Sequence, residues 1–583
     1  MSGSGTHHVL DLLRRDPRLA RLAAFPFDFD LERAEHGEEV ELASGAPLTG
    51  IAGDDTGGTY FLCPDGGVLY ADSDGRAGLI GRSVADVLEL VTGLPGWRDH
   101  LALPPGTGDA EVTAAARAHE ADLRASYAPG LDALRAELLT GLGLFPRPPA
   151  ELFATMHRAL RHTEPDHVLL LTEEGTAYEP LDPHPRPPLA RTVLAGCRAG
   201  LDRLRADPAT WHEVAFAPVT DAEDPEHDAH FAARACALHA ARYDRRPADL
   251  PLLRHLLDQE TRGRRQAPFG GMGGELHLAV FLVARHHQEE DLPRLYAARA
   301  ANFDTWCALS DLPLGLPGNA SGARPSWEPE ALRGWVAALD VPEWFGDDPG
   351  HEPDATWVTL ARRQGRTELA RAALIRALDD IGPADTAELP WIRDEFTAIG
   401  DLRQAVRAQR LYARLQDFGH SRGTAYTRLA ALERRYGDLD GAWTSLRTAR
   451  TALGVPAPSP EPYTAGRQPL FEVEPATADE PPRWADRAIG LDLTEEHFRL
   501  ARTAAESATL PLARRSLTTA SDLLAALARP LPPALLRTAH AAAAACADDE
   551  SATRWAALAA RAEQRIAEFP YDEDDGAGDD ALG

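Results

Sequence analysis

The sequence predicts a mainly α-helical protein with an N-terminal α+β domain, in which a small antiparallel sheet carries one helix and α-helical hairpins follow in a solenoid-like array. Three observations predict it. Short β-prone runs, Thr59 to Cys63 and Val68 to Tyr70, flank Pro64-Asp65-Gly66-Gly67, and Asp-Gly or Gly-Gly between such runs is the strongest local hairpin signal. Apolar residues then recur at helical spacing, first at Val84, Val87, Leu88 and Val91 behind Ser83, a residue suited to capping a helix start. Further on, a Gly-x-x-x-x-Ala pattern appears at Gly365/Ala370, Gly400/Ala405 and Gly437/Ala442, spaced 35 and 37 residues apart.

The elements follow in order. Residues 1–105 hold the two strands and the Ser83-led helix. Between 106 and 185 a helical extension runs from Asp109 to Leu144, breaks at Phe145-Pro-Arg-Pro-Pro, resumes from Leu152 to Leu160 and ends in a second hairpin beginning at His167. The prolines of His184-Pro-Arg-Pro-Pro188 can continue neither a ladder nor a helix, so a boundary is expected there. Residues 186–345 read as a helical domain, with Glu275 to His287 and Leu292 to Leu309 as a helical pair. Residues 346–455 carry the Gly/Ala repeats: glycine permits the tight turn between antiparallel helices, and the small alanine lets them approach. A Pro-rich linker (456–485) is followed by C-terminal helical hairpins (486–568), in which Ala547-Asp-Asp-Glu-Ser-Ala552 reads as a degenerate turn of the same kind. The final stretch, 569–583, is acidic without an apolar period and is expected to be disordered.

Two resemblances rest on these residues. Ile51-Ala-Gly-Asp54, the pair Gly57-Gly58, the aromatic strand, the second strand and the Ser83 helix, all within Leu48 to Trp97, resemble the SUKH superfamily. That resemblance implies a domain that binds and neutralises a toxin domain, with Asp54, Asp55, Asp72 and Asp74 as charge and Tyr60 or Tyr70 as an aromatic anchor on an exposed sheet face. The Gly/Ala repeats resemble tetratricopeptide repeats, which stack because no single unit buries its own apolar face.

Composition narrows the function. All 60 basic residues are Arg, which removes the P-loop lysine, the kinase strand lysine and the Schiff-base amine of pyridoxal phosphate enzymes. The Arg-, Ala- and Pro-rich usage suggests a bacterial source. A net charge of −30 argues against nucleic acid and suits a basic protein partner, such as a toxin domain. Five cysteines without a C-x-x-C pair suggest neither a disulfide framework nor a zinc knuckle. With no apolar leader at the start and no long apolar run, a cytoplasmic protein without membrane contact is expected.

Other motifs bear on chemistry. Asp72-Ser-Asp74-Gly75 opens like a calcium loop but lacks the later ligands, so it reads as a turn. Adjacent Asp54 and Asp55 suit a turn or partner contact better than paired acid/base chemistry. Gly270-Gly-Met-Gly-Gly274 before Glu275, with Arg262, Arg264 and Arg265 nearby, is the most credible anion site, centred on Gly273 and Gly274. His286-His287 with Glu289 lack zinc-ligand spacing, and Cys307 reads as an inert thiol. The expectation is a non-enzymatic protein-binding protein of a bacterial immunity or regulatory system, without cofactor or metal. A helical-repeat scaffold, or an enzyme acting on a phosphorylated substrate near the Gly270 turn, are the alternatives.

Overall fold

The computed structural model describes residues 3–219, 228–267, 270–315, 326–382, 385–455, 483–486, 488–527 and 531–568. The acidic tail and nearly all of the Pro-rich linker lie outside these residues. The chain is mainly α with an N-terminal α+β domain, and it divides into two compact units, Met1–Arg376 and Ala377–Gly583. The division falls inside the helix Thr367–Asp379, whereas the boundaries expected near 105, 185 and 345 all lie within the first unit.

In the first unit β1 (Val40–Leu42), β2 (Thr49–Gly53), β3 (Thr59–Leu62), β4 (Val68–Ala71) and β5 (Arg76–Gly81) are followed much later by β6 (Leu169–Leu171) and β7 (Glu179–Pro180). The strands β2-β3-β4-β5 form an antiparallel meander that β7 extends in parallel beside β5, and β1 pairs with β6 in a second, two-stranded sheet. Strands from residues 106–185 thus pair with strands from residues 1–105. The hairpin at 64–67 forms as its residues dictate: Cys63 N–H donates to the Gly67 carbonyl at 2.8 Å, and Gly66 sits at φ +89°. Ser83 caps the helix Val84–Gly93 by accepting from the Asp86 amide at 3.1 Å.

The sheet is buried on both faces, which corrects the expectation of an exposed one. Tyr60 and Tyr70, opposite each other across β3 and β4, lie in one core with Ile80, Val87, Leu88, Phe153 and Leu160. On the other face Phe61 and Leu69 join Leu42, Leu79, Leu169 and Tyr178, because the β1–β6 pair covers it. The unbroken apolar runs of β3 and β4 are the sequence signature of such two-sided burial. The region expected to be helical from Asp109 to Leu144 forms two helices, Asp109–Ser126 and Leu131–Leu142. Likewise the stretch ending at Leu309 splits into Leu292–Arg299 and Phe303–Ala308, the second started by an Asn302–Thr305 capping box.

The second unit is built from antiparallel helical hairpins: Leu389–Ala398 with Leu402–Leu415, His420–Tyr436 with Leu439–Ala452, Ala488–Glu506 with Leu510–Ala526, and Pro533–Ala545 with Asp549–Glu568. One turn geometry recurs. Gly400 and Gly437 have φ of +80° and +98°, and the following amides, Asp401 and Asp438, donate five residues back to Phe396 and Glu433 at 2.9 Å. The Asp401 and Asp438 carboxylates then cap the next helix through the Gln404 and Gly441 amides. Gly365, in the first unit, closes the same turn. Ala508 and Ala547 occupy the identical left-handed position at φ +58° and +57°, so the degenerate turn at Ala547 shares the geometry. Ala405 and Ala442 are fully buried, as are Phe396 and Leu429, whereas Trp391 and Tyr426 are half-buried beside the buried Ile392 and Ala425.

Candidate functional site

Three places gather chemistry-bearing side chains. The first surrounds Asp54, at the start of the β2–β3 turn. Its Oδ1 accepts from the Thr56 amide (2.9 Å), the Thr56 hydroxyl (2.8 Å) and the Gly58 amide (2.9 Å), while Oδ2 accepts from the Tyr70 hydroxyl (2.6 Å) and pairs with Arg98. Burial alone would raise this carboxyl, but the Tyr70 hydroxyl, Arg98 and the amides outweigh it and hold it below its usual range. Asp28, also facing Arg98, is pushed up to about 6 by burial and by the charge of Asp55.

These bonds correct the expected docking face. Asp54 is buried, and Tyr60 and Tyr70 stack at 5.1 Å inside the core with Trp97 behind Tyr70, so none of the three offers surface to a partner. Asp72 folds onto its own turn, accepting from the Asp74 and Arg76 amides at 3.0 and 2.8 Å, and Asp74 pairs with Arg76. Asp55 is exposed.

The second place is the Gly-rich turn. Arg264 donates to the Gly270 carbonyl at 2.8 Å, and its guanidinium lies so close to Gly273 that a Cβ there would collide with it. Asn302 donates to the carbonyls of Ala267 and Gly271, pinning the turn from the other side. Arg262 and Arg265 are exposed and reach Gln259 Oε1 and the Ala297 carbonyl, each at 3.5 Å. Just past Gly274, Glu275 pairs with Arg363 at the start of the helix Gly274–Ala284 and supplies the negative charge favoured there. The arginines and glycines thus have internal partners that account for their placement. Behind them Arg234 is buried between Glu260 (2.7 Å) and Asp228, and burial pushes the neighbouring His239 down to about 4. No spacing in the sequence marks the Arg234–Glu260 pair, since the two residues come from separate helices, Phe231–Tyr243 and Leu250–Gln266.

The third place joins residues that are far apart in the sequence. A cleft of about 540 Å³ is lined by Asp65, Arg82, His162, Glu164, Asp166 and His167 among others. Two of these lining residues meet a buried cysteine: the Cys63 thiol, an Asp65 carboxylate oxygen and a His167 ring nitrogen all lie within 4.8 Å of one another. His167 Nε2 stands 3.3 Å from Asp65 Oδ2 and its Nδ1 stands 3.4 Å from the His162 carbonyl, while Asp65 Oδ1 accepts from the Gly67 amide at 3.0 Å. Burial, reinforced by Asp65, pushes the Cys63 thiol up to about 12. Glu164 is taken up by Arg186 and by Arg376 (2.8 Å). Cys63-x-Asp65 is visible in the sequence, but only the fold brings His167 to it.

No protein-family model, curated protein or solved structure matches this chain. Among the described residues, no helix is long and apolar enough to cross a membrane.

Proposed function

We propose that the chain is a non-enzymatic protein-binding scaffold that engages its partner through the helical hairpins of its second unit. The observation that carries this reading is an apolar ridge at one hairpin connection. Leu415 and Phe418 are 46% and 65% exposed, and the Arg422 guanidinium stacks over both Phe418 (5.4 Å) and Tyr426 (5.6 Å). Aromatic and arginine side chains presented together are the residue types that dominate protein interfaces. In the N-terminal domain, by contrast, the aromatics expected to serve are internal. The net charge of −30 favours a basic partner. An immunity or regulatory role in a bacterial conflict system is the finer form of the same reading, and the SUKH-like stretch from Leu48 to Trp97 is its support.

The test is affinity capture from the source cell with three proteins: wild type, the double variant Leu415→Gln/Phe418→Gln, and Asp55→Asn/Asp74→Asn. A specific protein retained by the wild type and the Asp variant but lost by the ridge variant, with unchanged melting, supports the proposal. Retention by the ridge variant overturns it.

A further inference from the structure

We propose that Cys63, Asp65 and His167 form a mononuclear site for a zinc-class divalent cation, with a fourth position open to the cleft. The proposal is independent of the binding role assigned to the second unit. A thiolate, a carboxylate oxygen and an imidazole nitrogen are the donor types zinc takes, and three protein ligands with one open position are a recurrent arrangement. Zinc–ligand bonds of about 2.0–2.3 Å place tetrahedral donors roughly 3.3–3.8 Å apart. The His167–Asp65 separation of 3.3 Å already matches, and the trio spans no more than 4.8 Å, within reach of small side-chain rotations.

The atoms left for a metal are those the surroundings leave available. His167 Nδ1 faces the His162 carbonyl, which leaves Nε2 as the donor, and Asp65 Oδ1 is held by the Gly67 amide, which leaves Oδ2. Such outer partners are what orient metal-binding imidazoles and carboxylates. The backbone fixes both halves. Cys63 and Asp65 ride on the β3–β4 turn, closed by the Cys63–Gly67 hydrogen bond of 2.8 Å. On the other side, the His167 amide donates to the Thr163 carbonyl at 2.7 Å, and the Thr163 hydroxyl accepts from the Leu79 amide of β5 at 2.8 Å. The cation would therefore clip the segment before β6 to the sheet. A gradient of exposure supplies access: Cys63 is buried, the His167 side chain is 11% exposed, and the Asp65 side chain is 59% exposed. On binding, the Cys63 thiol gives up its proton to solvent and the sulfur lone pair forms the metal bond.

The test uses the full chain, stripped with a chelator and titrated with Zn²⁺ by calorimetry and with Co²⁺ by absorption. One equivalent is expected, with a sulfur-to-cobalt charge-transfer band in the near ultraviolet. Cys63→Ser should abolish that band, and Asp65→Asn, which keeps the turn's hydrogen bond, should weaken binding by about tenfold or more. Cys307→Ser, altering an exposed thiol elsewhere, should bind as the wild type does. Absence of binding to the wild type, a band that persists in folded Cys63→Ser, or wild-type affinity in folded His167→Gln, would overturn the proposal. Because Asp65 is exposed, its variant keeps the outcome readable if the two buried ones fail to fold.

Discussion

Replacing Gly437 by Ala and Ala547 by Gly should move stability in opposite directions, because both residues occupy the same left-handed turn position. At Gly437 an added Cβ would meet no atom within 4 Å, so the cost is conformational and contains no clash. Holding a non-glycine residue at φ +98° costs about 1–2 kcal/mol. Restricting the unfolded chain returns about 0.4–1 kcal/mol. Gly437→Ala is therefore expected to destabilise the second unit by about 1 kcal/mol. Ala547→Gly should stabilise it by about 0.5–1 kcal/mol on the same reasoning reversed, with Ala508→Gly behaving alike. Gly334, exposed in the middle of the helix Pro329–Leu339 of the first unit, should respond the other way: there Ala should stabilise that unit by about 0.5–1 kcal/mol. Calorimetric melts and urea midpoints resolve these differences, since 1 kcal/mol shifts the midpoint by about 2–4 °C in a unit of this size. A neutral Gly437→Ala together with a destabilising Ala547→Gly would refute the shared turn geometry.

Three further outcomes are expected. Arg98→Ala leaves the Asp54 carboxylate buried with its main cationic partner gone, and should cost about 2–3 kcal/mol in urea denaturation, less than a fully buried pair because Arg98 is partly exposed. Asp28 favours its protonated form in the folded protein, so its stabilising effect is full below its unfolded value near 3.8 and is lost as pH rises through about 6; Asp28→Asn should flatten the stability profile between pH 4 and 6 and gain about 1 kcal/mol at pH 7, allowing for solvent screening of a carboxyl that is 40% exposed. Ala405→Trp should overpack a fully buried helix contact and lower stability by about 1–3 kcal/mol, and an unchanged urea midpoint would mean the helices at that turn are not in close contact.

The sequence by itself determined the features that consecutive residues encode. The β3–β4 hairpin is written in Pro64-Asp65-Gly66-Gly67, the helix start in Ser83, and the helical turns in Gly365, Gly400 and Gly437, because a dihedral preference or a side-chain-to-backbone bond acts within a few residues. The mainly α class followed from apolar period in the same way. One signal was legible and misread: the continuous apolar runs Tyr60-Phe61-Leu62 and Val68-Leu69-Tyr70 mean a strand covered on both faces, which already withdraws Tyr60 and Tyr70 from any partner. Only the tertiary structure decided what covers them. The pairing of β1 with β6 and of β5 with β7 joins segments separated by a hundred residues or more, and such contacts depend on the packing of everything between them and not on local preference. The Asp54–Arg98 pair, the Arg234–Glu260 pair and the convergence of His167 on Cys63 and Asp65 arise for the same reason: each assembles side chains whose sequence neighbours carry no trace of the partner.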